Sequence, residues 1–370
     1  MKLQIHKDTI REAVAAVKPA IPNKSANPAL ENILMTTKED GTITFTASDG
    51  EITLVKKIQD ETNQITQSAQ FLIPSKVFYD IIDSLPDGMM RLETIEDKNT
   101  MKITWIGGAS VIPLFDTNDY PVAKTTYSED DTISFNGEEL ATAISKTVKF
   151  VSDNELHPAL CGVHLDIRKD KACIVASDCQ SLVVNDVKCL GKEIKCIISE
   201  KSASMLKSFK TDEEIKATIT ANDAIFRNDT LEMTCRLINQ KYPAYEKVIP
   251  QGGHTMSFER KTLLQTIRRV KVCADKGMTS IQMQIKNDRL TVTAEDNALS
   301  MSAKETINNE YSGDEMTISV KADMMMEILN VISSENITMT VSAPNKAVVI
   351  TPENKSEEPM TAVLMPLRSK

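Results

Sequence analysis

Leu3-Gln4-Ile5-His6-Lys7-Asp8-Thr9-Ile10-Arg11-Glu12-Ala13-Val14 begins with the apolar-polar alternation of a half-buried strand and passes straight into the spacing of an amphipathic helix. The chain writes that passage three times. Ile133 and Phe135 lead to Leu140 and Ile144, and Met256 and Phe258 lead to Leu263 and Ile267. Counted from Ile5, Phe135 and Phe258, the next apolar anchors come five and nine residues on in every copy, the i, i+4 step of one helix face. A repeat of this length predicts one domain type used three times.

Three further markers follow in the same order in each copy. Strand-period residues end in an Ala-x-Asp turn at Ala47-Ser48-Asp49, Ala176-Ser177-Asp178 and Ala294-Glu295-Asp296, where an aspartate side chain can close the turn. A second strand-to-helix passage runs from Phe71-Leu72-Ile73 to Ile81, from Ile197-Ile198 to Leu206, and from Ile318-Ser319-Val320 to Ile328, the helix anchor falling eight residues after Ile73, Ile198 and Val320. A closing strand then runs into proline at Tyr120-Pro121, Tyr242-Pro243 and Met365-Pro366.

Strand-helix-strands therefore occurs twice per copy, with alternating strands such as Ile43-Thr44-Phe45 and Leu290-Thr291-Val292 between. The expected fold is α+β, each domain placing two helices on antiparallel sheets. Polar joints at Thr125 to Asp131 and at Pro250 to His254 set the expected domains at 1–127, 128–252 and 253–370.

A chain of 370 residues has room for two or three cores. No apolar run reaches the ~18 residues of a membrane span, and Glu12 interrupts the first apolar pattern, so a soluble cytoplasmic protein with no membrane partner is expected. The seven cysteines, Cys161, Cys173, Cys179, Cys189, Cys196, Cys235 and Cys273, form no C-x-x-C pair and read as reduced, mostly buried thiols. A formal charge of −9 excludes a protein that coats nucleic acid with its whole surface and leaves room for a local basic stripe.

Nothing in the chain carries catalysis. The four histidines, His6, His157, His164 and His254, lie in no H-E-x-x-H, G-x-S-x-G or metal spacing, and Cys161 with His164 reads as two strand residues. No phosphate-cradling glycine motif is present, Gly107-Gly108 reads as a hairpin turn, and Asp130-Asp131 and Glu213-Glu214 read as solvated pairs. No enzyme activity, catalytic residue, metal or cofactor is expected.

The whole chain resembles one known family, the bacterial sliding clamps that form the β subunit of the DNA polymerase III holoenzyme. The resemblance rests on Met1-Lys2-Leu3-Gln4-Ile5, Asn27-Pro28-Ala29-Leu30-Glu31-Asn32-Ile33-Leu34, Ala176-Ser177-Asp178, Cys235-Arg236-Leu237-Ile238, Tyr242-Pro243-Ala244-Tyr245-Glu246-Lys247-Val248-Ile249-Pro250, Tyr311-Ser312-Gly313 and Leu364-Met365-Pro366-Leu367-Arg368. It implies a homodimer joined head to tail, a six-domain ring with helices on its inner wall and sheets outside. By family position the joint pairs the region of Val111 and Ile112 with that of Val272 and Cys273; these four also read as ordinary core.

The same resemblance places Lys7, Arg11, Lys18, Lys76, Lys146, Lys149, Lys201, Lys207, Arg260, Arg268, Arg269 and Lys271 on or beside inner-wall helices, with Lys24 on a loop that touches DNA. Lys24, Lys76, Lys149, Lys201, Arg268 and Arg269 are the expected contacts to double-stranded DNA, through phosphates and without sequence preference. Each also reads as a solvated face. Lys76 and Lys201 share a repeat position that holds Asp323 in the third copy, and Leu156-His157-Pro158-Ala159 stands where relatives carry a basic, aromatic loop.

Partners implied by the family are the replicative DNA polymerase alpha subunit, the clamp loader, and repair polymerases and mismatch repair proteins. They dock short peptides in an apolar pocket between the second and third domains. Its matching positions are Leu160, Ser177, Leu182, Pro243, Lys247, Val248, Val363, Met365, Pro366, Leu367 and Arg368, of which Leu160 and Leu182 read equally as core leucines. Asp178 is followed by Cys179-Gln180-Ser181, where relatives usually carry Gly-His-Arg. Two functions thus stand: a DNA-encircling processivity clamp that recruits replication and repair proteins, and a monomeric, non-enzymatic protein-binding module on the same repeat.

Overall fold

A computed structural model describes residues 1–59, 68–95, 98–121, 131–210 and 212–367. Arg368, Asp130 and all of the first joint but Asp131 lie outside the described residues. The chain divides into two compact units, one of Met1–Ala141, Leu190–Lys192 and Met205–Leu237, the other of Thr142–Cys189, Glu193–Ser204 and Ile238–Lys370. Backbone ladders account for the division of the middle third. Leu231–Arg236 pairs with Ile52–Gln59 inside the first unit, and Ser181–Leu190 pairs with Met360–Leu364 inside the second.

Six helices recur in the predicted places: α1 Lys7–Val17, α2 Ser75–Ser84, α3 Gly137–Thr147, α4 Glu200–Leu206, α5 Arg260–Lys271 and α6 Ala322–Val331. The strands Lys2–His6, Thr132–Asn136 and His254–Glu259 run into α1, α3 and α5, as the repeat predicts. Ile10 and Val14, Leu140 and Ile144, and Leu263 and Ile267 are buried, each worth about 1.5–3 kcal/mol over an exposed side chain. α1 packs on α2 and α5 on α6, and the strand pairings are antiparallel.

Two details differ from the sequence reading. In α2 the apolar anchors are Phe78 and Ile82, both fully buried, while Ile81 is half-buried at the edge of that face. Only the third proline marker follows a strand, Met360–Leu364; Tyr120 and Tyr242 lie in irregular segments and are held by burial of their rings. Gly107 turns the hairpin between Thr100–Trp105 and Gly108–Pro113 at φ +90°, as expected. Four of the seven cysteines are buried and Cys179 is exposed.

Candidate peptide cleft and basic faces

The Ala-x-Asp turn is built by one set of hydrogen bonds. The Asp49 carboxylate accepts from the amides of Glu51 and Ile52 at 2.9 and 2.7 Å, Asp178 from Gln180 and Ser181 at 2.9 and 2.6 Å, and Asp296 from Ala298 and Leu299 at 3.0 and 3.1 Å. The residue after the aspartate in the first two turns has positive φ. Gly50 adopts +94° without a side-chain penalty, and Cys179 adopts +73° against one.

This second turn is pinned to the C-terminal segment. The Met365 amide donates to the Gln180 carbonyl at 2.8 Å, and the ladder sets Leu182 opposite Val363. Leu160, Leu182, Val363, Tyr242 and Tyr245 pack with Val175 and Ile197 into one apolar cluster of the second unit, and Leu160 arrives on the single turn Pro158–Leu160. Met365 is 40 % exposed, and Pro366 and Leu367 are half-buried, with the Leu367 amide donating to the Ser319 carbonyl at 2.7 Å. Pro243, Lys247 and Val248 are exposed. Ser177 donates to the Ser181 carbonyl at 2.7 Å, and the buried Ser181 hydroxyl donates to Asp178 at 2.8 Å. Ser181 therefore closes the turn from inside, leaving Gln180 and Cys179 as the exposed residues of that edge.

Behind the cluster lies a polar group that sequence patterning did not identify. The strand Gly162–Ile167 is buried at every position instead of alternating, because neighbours cover both faces. It places His164 against the Tyr242 ring, with ring centres 4.4 Å apart, and within 3.0 Å of the Cys196 carbonyl. Burial holds the His164 imidazole below its ordinary pKa. Two residues on, Asp166 is buried and accepts from Tyr245 at 2.9 Å while ion-paired to Arg168 at 2.8 Å and Lys195 at 3.1 Å. Burial works to raise its carboxyl, but these partners outweigh it and hold it at about 2.

Several of the basic residues are engaged by neighbours. Lys7 donates to the Leu85 carbonyl at 2.6 Å, Arg260 to those of Ser334 and Leu329, and Arg11 pairs with Asp8 at 3.5 Å. Lys146 binds Glu358, Lys271 binds Asp323, and the Lys18 ammonium sits 3.6 Å from the centre of the Tyr79 ring. Arg269 grips Glu305 with two nitrogens, one at 2.9 Å, which leaves it poorly placed to meet a phosphate. Lys24 on its loop, Lys76 in the first turn of α2, Lys149 after α3, Lys201 in the first turn of α4, Lys207, and Arg268 on α5 all expose their side chains.

At the expected joint positions, Val111 is 58 % exposed and Val272 75 %, whereas Ile112 is buried in its own sheet and Cys273 is half-buried. Val111 lies on Gly108–Pro113, the last strand of a four-stranded sheet.

Three sequence-family models match the chain in succession. These are the DNA polymerase III beta subunit N-terminal domain over residues 1–124, its central domain over 134–244, and its C-terminal domain over 246–368. The beta sliding clamp of Staphylococcus epidermidis is 25 % identical over 382 residues, and that of Lactococcus lactis 24 % over 386; each alignment covers all of both chains. The fold is similar to a sliding clamp from Pseudomonas aeruginosa bound to griselimycin, with a TM-score of 0.93 at 20 % identity, and to the DNA polymerase sliding clamp from Bacillus subtilis, with 0.91 at 23 %. Both comparisons cover 100 % of each chain.

Proposed function

The chain belongs to the DNA polymerase III beta subunit family, the bacterial sliding clamps, and from that membership we propose that its repeats at 1–127, 128–252 and 253–370 form half of a ring closed around duplex DNA by a second copy. The reading rests on one observation above the others: the strand-helix unit and its Asp-closed turn recur in order, and a different domain of one family matches each copy. The protein is a DNA sliding clamp. It does no chemistry and serves as a topological tether that keeps a polymerase on its template.

Exposed lysines and Arg268 supply a weak, sequence-independent attraction for phosphate on a body whose formal charge is −9. Retention then comes from encirclement rather than affinity. Leu160, Leu182, Val363 and Met365 form the floor and edge of the cleft that takes short peptides of the replicative polymerase alpha subunit, the clamp loader and repair proteins, with Ser177, Lys247 and Arg368 as polar fixers. Val111 and Val272 are the apolar contacts of the head-to-tail dimer, and the site of action is the cytoplasm.

The test loads the protein onto nicked circular DNA with a clamp loader. Retention for minutes in moderate salt, followed by loss once a restriction enzyme linearises the circle, is the expected outcome, and replacing Lys24, Lys76 and Lys201 should reduce loading. Equal dissociation from circular and linear DNA would favour the monomeric binding module.

A further inference from the structure

The elements that build the peptide cleft of the second unit are built a second time in the first. Pro28–Glu31 forms the same single turn as Pro158–Leu160, each started by an amide-to-carbonyl bond, Leu30 to Asn27 at 3.1 Å and Leu160 to His157 at 2.8 Å. Leu34 sits opposite Leu72 as His164 sits opposite Ile197. The Phe115 amide donates to the Leu72 carbonyl at 2.9 Å, as the Ile238 amide does to that of Ile197 at 2.9 Å. Even the clasp recurs, with the Arg236 amide donating to the Glu51 carbonyl at 3.0 Å where the Met365 amide donates to that of Gln180. Leu30, Leu34, Leu72 and Tyr120 make the corresponding apolar floor.

Leu72 of that floor also lines a groove of about 610 Å³, within the range of ligand sites. Phe115, at the position of the half-buried Ile238, is 47 % exposed on its edge, and Val77 of α2 is 49 % exposed beside it. Two apolar side chains of this size, half in water on one groove, leave surface for a partner to cover. The rim differs from that of the second-unit cleft. Glu31, Asp116 and Asp119 line it, and among the described lining residues Lys76 is the one cation.

We propose that this groove is a second peptide-docking site, which takes an apolar anchor on Leu72 and Phe115 and selects segments flanked by lysine or arginine through Asp116, Asp119 and Glu31. The cleft analogy rests on the peptide-docking reading of the second unit; the groove, its exposed anchors and its acidic rim do not. Charge complementarity fixes the occupant, because an acidic flank would face the three carboxylates Glu31, Asp116 and Asp119 that line the groove.

Fluorescence anisotropy on the full-length protein tests it with two labelled octapeptides sharing a Leu-Phe core, one flanked by lysines and one by glutamates. The lysine peptide should bind at least tenfold tighter than its twin at low salt. Phe115→Ser should weaken it at least fivefold, and Asp116→Asn with Asp119→Asn, on an exposed segment that preserves the fold, should weaken it severalfold and flatten its salt dependence. Met365→Ala should leave it unchanged while weakening clamp-binding peptides at the other cleft. No binding of the lysine peptide, equal binding of the twin, indifference to both the Phe115 and rim variants, or loss in Met365→Ala alone would each overturn the proposal. A failure of Met365→Ala to weaken clamp-binding peptides would instead count against the second-unit cleft.

Discussion

Cys179 occupies a backbone conformation that its counterpart Gly50 adopts freely, in a turn with matching hydrogen bonds. A side chain at positive φ costs about 1–2 kcal/mol, and glycine returns about 0.4–1 of that through a freer unfolded chain. Cys179→Gly should therefore stabilise the protein by up to about 1 kcal/mol in denaturant unfolding, and equal or lower stability would show that the thiol makes a compensating contact. His164 carries a second prediction. Its pKa is depressed by burial, so the stability tied to its neutral form is full above about 6.5 and is lost as pH falls through the folded value. His164→Leu, the residue that Leu34 provides in the first copy, should narrow the gap between melting temperatures at pH 7 and pH 5. Asp166, depressed to about 2, governs a separate window: its contribution is present above about 4 and lost toward pH 2. An unchanged gap in His164→Leu would assign the acid sensitivity elsewhere.

The C-terminal segment is the element on which the proposed peptide cleft depends. Its strand is locked by the ladder to Ser181–Leu190, and its last described residues are tied through main-chain atoms, the amides of Met365 and Leu367. Met365 is 40 % exposed there. Replacing Met365, Pro366 and Leu367 by alanine should abolish binding of a polymerase-derived clamp peptide, at about 1–4 kcal/mol for each hot-spot side chain, with little change in melting temperature or dimer. Unaltered affinity in a titration would remove these residues from the site. On α5 the distinction is also structural: Arg268 and Arg269 are adjacent in sequence, yet Glu305 on the neighbouring strand engages only the second in a two-nitrogen grip.

At the scale of the whole molecule, a ring needs two apolar patches that meet only in the dimer. Val111 stands on a terminal strand and Val272 at the end of α5, both largely in water, where an unpaired apolar residue has little to gain. Val272→Glu should convert the dimer to monomer in size-exclusion chromatography with light scattering and eliminate retention on circular DNA. A persistent dimer would move the joint away from α5.

The sequence alone determined the periodic parts of this protein, the triple strand-helix unit, the α+β class and the Asp-closed turns, because local spacing and short turns are written in consecutive residues; the family was legible as a resemblance carried by short motifs. Where contacts join distant segments, the tertiary structure decided. Nothing near Ile112 or Ile81 in sequence marks one as buried and the other as marginal. Likewise, no local pattern pairs Arg269 with Glu305 or stacks His164 on Tyr242. The second groove belongs to the same class, since Leu72 and Phe115 become neighbours only through a backbone bridge across more than forty residues. Burial, pairing and charge state are properties of such neighbours, and only folding chooses them.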